Sequence, residues 1–193
     1  MAYDKRPRKL PTILNGTFDT SIEYNKKNFT LARWEKWEQE IYKDNPYYVQ
    51  FMYDCIEKYE TKLDLRIKAT ITAFIKYIAV FTYRILQAQC EINSLNDQFM
   101  GIDSGLPTNL PYISKSIYEF VKSEADSQRK FENLQSLNEK LHLFVKDILI
   151  TINNRSKELS TEEMEYISRI VKVFAIKSYY LLYYQCIENK HTK

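Results

Sequence analysis

The clearest pattern in the chain is a run of apolar residues that recur in alternating steps of four and three between residues 64 and 99. Its members are Ile67, Ile71, Phe74, Ile78, Phe81, Ile85, Ala88, Ile92, Leu95 and Phe99. This spacing keeps every member on one face of a helix of roughly 50 Å and is typical of coiled-coil-like packing. A second apolar row predicts that the middle of the helix is covered on two sides, and it consists of Ile75, Ala79, Thr82 and Leu86.

Two short helices are predicted before this seam, within residues 30–63. Thr30 is the expected N-cap of the first, whose apolar stripe is formed by Trp34, Trp37 and Ile41. Asn45 followed by Pro46 marks the start of the second, because Asn favours the cap and Pro the first helical position.

After the seam, residues 100–111 contain Gly and Pro and predict a loop. Helical spacing resumes near Tyr112 and continues to about residue 157, although the polar stretch 124–130 leaves open whether this is one helix or two. Ser160 and Glu163 have the spacing of a capping box and predict the start of a last helix.

The scarcity of turn residues supports an all-helical fold. The chain of 193 residues has 3 Gly and 5 Pro, and none of them lies within 47–100 or 112–193. Strand-rich folds need frequent turns, whereas long helices exclude these residues. We therefore predict an all-α protein with an extended basic N-terminal arm (1–29), two short helices (30–63) and a four-helix-bundle-like body of long helices (64–193).

Charge is unevenly distributed along the chain. The first 36 residues carry eight basic residues, namely Lys5, Arg6, Arg8, Lys9, Lys26, Lys27, Arg33 and Lys36. Four acids offset them, so this segment has a net charge of +4. Because the whole chain is +3, residues 37–193 sum to −1. Such an arm suits a polyanion, whose counterions are released when Lys and Arg neutralise phosphates. The alternative is an ordinary charged terminus.

Aromatic residues predict contacts with partners. The chain has 16 Tyr, and Tyr is favoured at contact surfaces that are apolar on one side and wet on the other. We expect exposed tyrosines on the last helix, at Tyr179, Tyr180, Tyr183 and Tyr184. Trp34 and Trp37 are expected to anchor the first helix on the body or on a neighbouring subunit, and the alternative is that they stack on bases or cap a partner groove.

No motif for catalysis or metal binding is present. Neither His142 nor His191 belongs to a metal-ligand spacing, and the sequence contains no Gly-rich phosphate loop or nucleophile motif. The three Cys are odd in number and far apart, which argues against disulfides. Asp97 and Asp103 are interpreted as cap and turn residues. The sequence therefore predicts a protein that is not an enzyme and has no cofactor.

Membrane and export signals are also not recognised. The most apolar stretch, 69–86, is interrupted by Lys76 and Arg84, so we do not expect a transmembrane helix. The basic N-terminus meets Pro7 and Pro11 without an apolar segment, which does not fit a secretory signal.

Together, the basic arm with its two prolines, the short helix-turn-helix of residues 30–62 and the long helices resemble the major coat proteins of filamentous and rod-shaped archaeal viruses (lipothrixvirus- and rudivirus-like). The composition, rich in Lys, Ile and Tyr, is similar too. The resemblance implies coat subunits that wrap linear double-stranded DNA in A-form, with the arm and first helices against the phosphates. It also implies self-pairing or pairing with a related coat protein, and a possible contact between the Tyr-rich helix and an envelope lipid.

The arm is lightly charged for such a role. Other basic residues would have to share the phosphates, and the candidates are Arg66, Lys68, Lys115, Lys122, Arg129 and Lys130. The leading hypothesis is a virion coat protein that is assembled in the host cytoplasm. The alternative is a small helical subunit or inhibitor of an intracellular nucleoprotein complex, such as an RNA-guided effector. A helical enzyme would require carboxylates clustered in a pocket.

Overall fold

The computed structural model describes residues 31–58, 64–123 and 159–191, with the single positions 143, 146, 147 and 150. Five helices, and no strands, are found in these ranges: α1 (Leu31–Asp44), α2 (Pro46–Lys58), α3 (Leu65–Met100), α4 (Lys115–Ser123) and α5 (Thr161–His191). The predicted all-α class is confirmed. The arm, the cap Thr30 and most of the predicted helix beyond residue 123 lie outside the described residues.

The short helix α2 lies at the centre of the packing. It contacts α1, α3, α4 and α5, while the two longest helices, α3 and α5, pack on each other. α1 also contacts α3, and α4 also contacts α5. One apolar core takes residues from all five helices. The two short helices predicted for residues 30–63 therefore share their core with the long helices.

The predicted seam of α3 is buried along its middle and exposed at its C-terminal end. Residues 78–83 are all buried, so the middle of the helix is covered all round and not only on two sides. By contrast, Leu95 is exposed and the Phe99 side chain is 90% exposed. The seam prediction is wrong for these two residues. A heptad spacing fixes which residues share a face, but it does not fix whether a partner helix extends far enough to cover them.

Local side-chain chemistry sets both ends of α3. The Asp64 carboxylate accepts a hydrogen bond from the Arg66 backbone N–H at 2.7 Å and caps the first turn. Gly101, with φ 64°, ends the helix in the left-handed conformation, and its N–H donates to the Asp97 carbonyl. In the following loop, Asp97 Oδ1 accepts from Ser104 N–H and Asp103 Oδ1 accepts from Gly105 N–H. The predicted turn role of Asp103 is confirmed, whereas Asp97 lies in the last turn of α3, whose C-cap is Gly101, and its side chain binds the loop instead of capping the helix.

The start of α2 is tied to a distant part of the chain. The helix begins at Pro46 as predicted, and Asn45 is buried. The Asn45 amide nitrogen donates to the Pro111 carbonyl at 3.0 Å, and its oxygen accepts from Ile113 N–H at 3.2 Å. One side chain thus fixes the segment that leads into α4 against the entry of α2.

A buried tyrosine joins three helices. The Tyr48 hydroxyl of α2 lies 3.0 Å from the Ala79 carbonyl of α3, to which it donates, and 2.8 Å from Ser178 Oγ of α5. Burial raises the pKa of Tyr48, so the hydroxyl stays protonated and able to donate. The polar groups buried at this junction are therefore hydrogen-bonded, as a buried position requires.

The predicted capping box at the start of α5 is confirmed. Ser160 N–H donates to Glu163 Oε2 at 2.8 Å, and Glu163 N–H donates to Ser160 Oγ at 3.1 Å. The two residues thereby satisfy two backbone donors that the first turn of a helix leaves without partners.

Within the described ranges, one helix is long and apolar enough to cross a membrane, namely α3. The two charges Lys76 and Arg84 are too few to exclude a span, contrary to the sequence-based interpretation. Inside the fold, 56% of the most apolar window of α3 is buried, and a core helix of a bundle meets the same criteria of length and composition.

Candidate anion-binding and partner surfaces

The residues predicted to bind nucleic acid fall mostly in the arm. Six of them lie outside the described residues: Lys5, Arg6, Arg8, Lys9, Lys26 and Lys27. Arg33 and Lys36 belong to α1, and the Lys36 side chain is exposed. α1 carries four acids against three basic residues, so this helix adds no net positive charge to the arm.

Three of the basic helix residues that were expected to assist the arm lie beside acids, and a fourth, Lys68 of α3, is half-buried. Arg66 is 3.7 Å from Glu163, Lys115 is 4.0 Å from Glu119 and Lys122 is 3.2 Å from Asp54, and each basic side chain is at least half exposed. Exposed ion pairs contribute at most about 1 kcal/mol, so a phosphate can compete for Arg66 and Lys115. Arg129 and Lys130 lie outside the described residues.

Trp37 packs inside the chain. Its ring meets Phe81 of α3 edge-on at 6.4 Å, and the Arg84 guanidinium lies over it at 5.9 Å. Arg84 also forms an ion pair with Glu40 of α1. These contacts anchor α1 to α3, which is the body-anchoring role expected from the sequence. The Trp34 side chain lies outside the described positions.

The expectation of exposed tyrosines at Tyr179 and Tyr180 is wrong. Their side chains are 1% and 8% exposed, while Tyr183 and Tyr184 are half-buried against the core. Every residue from 174 to 182 is buried, because α5 is contacted by α2, α3 and α4. A helix segment that is buried on every side lies in the interior of the fold, although this one includes Lys177 and Ser178. This part of α5 therefore offers no outer face to a partner or to a lipid.

A cavity between α2, α4 and α5 was not predicted from the sequence. Its volume is about 220 Å³, and its lining consists of Phe51, Asp54, Cys55, Lys58, Lys122, Ile170, Val173, Phe174 and Lys177. The charged members come from three helices that are far apart in the sequence, so no local motif identifies them. We call this space the lysine cavity.

Asp54 is the one carboxylate in the lining of the lysine cavity. It accepts hydrogen bonds from the Tyr118 hydroxyl, from Gln50 Nε2 at 3.1 Å and from Lys122 Nζ at 3.2 Å. Burial alone would raise the pKa of Asp54, but these hydrogen bonds outweigh burial and hold the pKa below its usual value. Asp54 is therefore ionised at neutral pH and bonded to both α2 and α4.

Asp54 is expected to make the protein sensitive to acid. A carboxylate whose pKa is lower in the folded state contributes stability above its unfolded pKa of about 4, and this contribution is lost as the pH falls through the folded pKa. In Asp54→Asn, the fall in the urea midpoint between pH 5 and pH 2 should be smaller than in the wild type. Asp103→Asn, in the exposed loop after α3, is the control. An equal fall in the wild type and Asp54→Asn would contradict the prediction.

The three cysteines are poor nucleophiles in this fold. Burial raises the pKa of the Cys55 and Cys90 thiols to about 12 and that of Cys186 to about 11. All three thiols are therefore protonated at neutral pH. Among the described residues, no group of three or more His, Cys, Asp or Glu is placed to hold a metal ion.

Comparisons with known proteins give no relative. No family model, no curated protein and no solved structure matches the chain.

Proposed function

We propose that this protein is a structural virion protein that coats and condenses linear double-stranded DNA into a helical filament. The observation that carries the proposal is the segregation of charge, with +4 in residues 1–36 and −1 in the rest of the chain. A coat must bind any sequence, and contacts with the phosphate backbone provide affinity without sequence preference.

The helical body is suited to carry the arm in such a coat. Its helices share one core, and three of its basic residues that were candidates for phosphate contact lie beside acids. The arm is therefore the main source of positive charge for the DNA. In the proposed filament, the DNA is held in A-form and the arm binds its phosphate backbone. A four-helix-bundle-like body faces outward. A second copy or a related coat protein completes the repeating unit. The virion is assembled in the host cytoplasm.

Electron microscopy of the full chain with linear duplex DNA tests the proposal. We expect filaments of uniform diameter whose length follows that of the DNA, and we expect a variant that lacks residues 1–29 to form none. Circular dichroism of the variant verifies that the helical body is still folded. Particles of fixed stoichiometry would instead favour a subunit or inhibitor of a nucleoprotein complex. Unchanged filaments after deletion of the arm would overturn the role assigned to the arm.

A further inference from the structure

We propose that the lysine cavity binds a small phosphate-type oxyanion, held by Lys58 of α2, Lys122 of α4 and Lys177 of α5. All three side chains line the same space. This site lies on the body of the protein and is separate from the arm, so it does not depend on the coat function.

The charge of the cavity lining favours an anion. Three lysines face one carboxylate, and Asp54 is already engaged by Tyr118, Gln50 and Lys122. Burial raises the pKa of the Cys55 thiol, the charges of Lys177, Lys58 and Lys122 oppose that rise, and the charge of Asp54 adds to it. The lining therefore has three ammonium groups from three helices against one carboxylate.

The burial of Lys177 also favours an anion in the lysine cavity. Its side chain is 8% exposed, and on α5 the cavity lining beside it is apolar: Ile170, Val173 and Phe174. Burying an ammonium group costs several kcal/mol unless nearby negative charge offsets the cost. Lys177 has interactions within the protein, and an oxyanion in the cavity would lower the cost of its burial further.

The size of the cavity selects the ligand class. Sites for drug-sized molecules have volumes of roughly 300–1,000 Å³, and the lysine cavity has about 220 Å³. The space therefore suits inorganic phosphate or the phosphate group of a larger molecule better than a drug-sized ligand. Lys58 and Lys122 are exposed, which leaves a route by which the phosphate group can enter.

Two sources provide a phosphate group for the lysine cavity, namely free inorganic phosphate and the phosphate backbone of DNA. Isothermal titration of the full chain with inorganic phosphate at low salt tests the site itself. We expect one saturable site, and we expect Lys58→Met and Lys177→Met each to weaken binding about tenfold or more, since each removes a charge-assisted hydrogen bond to the anion. Lys58 is exposed, so its variant remains informative if Lys177→Met fails to fold.

Lys43→Met is the matched control, because Lys43 is an exposed lysine in the last turn of α1, as Lys58 is in the last turn of α2, and is not part of the cavity lining. This variant should bind phosphate as the wild type does. No saturable binding, or an equal loss in Lys43→Met, would overturn the proposal. Competition with a short duplex identifies the source: displacement of phosphate supports a backbone phosphate, and unchanged binding supports a free one. Phosphate binding should survive deletion of residues 1–29, so a failed coat function does not affect this test.

Discussion

The variant Phe51→Ala is expected to lower the free energy of unfolding by about 3–5 kcal/mol, the usual cost of removing a buried phenylalanine side chain. Phe51 is 1% exposed in the central helix α2. Its ring stacks on Phe174 of α5 at 5.9 Å between centroids, so the substitution opens a space where two core helices meet. A domain is stable by only about 5–15 kcal/mol, and we therefore expect the variant to be close to unfolding.

Phe99→Ala provides the matched control for this experiment. It removes the same side chain from α3, at a position that is 90% exposed, and should change the stability by no more than about 0.5 kcal/mol. Urea unfolding followed by circular dichroism measures both variants. A large loss in Phe99→Ala would mean that this end of α3 is covered in solution. A small loss in Phe51→Ala would contradict the central position of α2.

Replacing Lys5, Arg6, Arg8 and Lys9 together with glutamine is expected to halve the salt dependence of binding to duplex DNA. Each phosphate neutralised contributes about 0.9 to the slope of log affinity against log salt. If all eight basic residues of the first 36 contact phosphates, the wild-type slope is about −7, and the variant retains about half of it. Affinity in low salt should fall by orders of magnitude.

A charge-matched body variant separates position from net charge. It carries the same number of substitutions to glutamine at Lys76, Lys146, Arg169 and Lys172. Both variants have the same net charge. If the arm binds the DNA, the salt slope should change strongly in the arm variant and only slightly in the body variant. Fluorescence anisotropy between about 50 and 200 mM salt measures the slopes. Equal slopes in the two variants would show that the whole surface, and not the arm, attracts DNA.

The starts of α2 and α5 were predictable from the sequence because their chemistry is local, whereas α4 begins at Lys115 and not near Tyr112 as predicted. Pro46 begins α2, and Ser160 and Glu163 form the capping box of α5. A cap depends on residues within one turn, and a local pattern in the sequence is enough to identify it. The all-α class was predictable for a similar reason, since it follows from the distribution of Gly and Pro along the chain.

Features that depend on distant elements were not predictable. The burial of Tyr179 and Tyr180 follows from three helices that pack around α5, and a single stretch of sequence does not contain this information. The exposure of Phe99 has the same origin, because a heptad identifies a shared face without identifying a partner. The lysine cavity depends on the way in which α2, α4 and α5 meet, so Lys58, Lys122 and Lys177 appear in the sequence as ordinary surface charges.

The double hydrogen bond of Asn45 also limits which sequences this fold accepts. At a helix start, Asn, Asp, Ser and Thr are ordinarily near equivalents. Here the side chain must donate to the Pro111 carbonyl and accept from Ile113 N–H at the same time. Ionised Asp has no donor, and although a Ser or Thr hydroxyl can donate and accept, its single oxygen does not span the two positions that the amide nitrogen and oxygen of Asn45 occupy. Among the common caps, only asparagine meets both demands, so in homologous chains this position should vary less than the exposed helix caps.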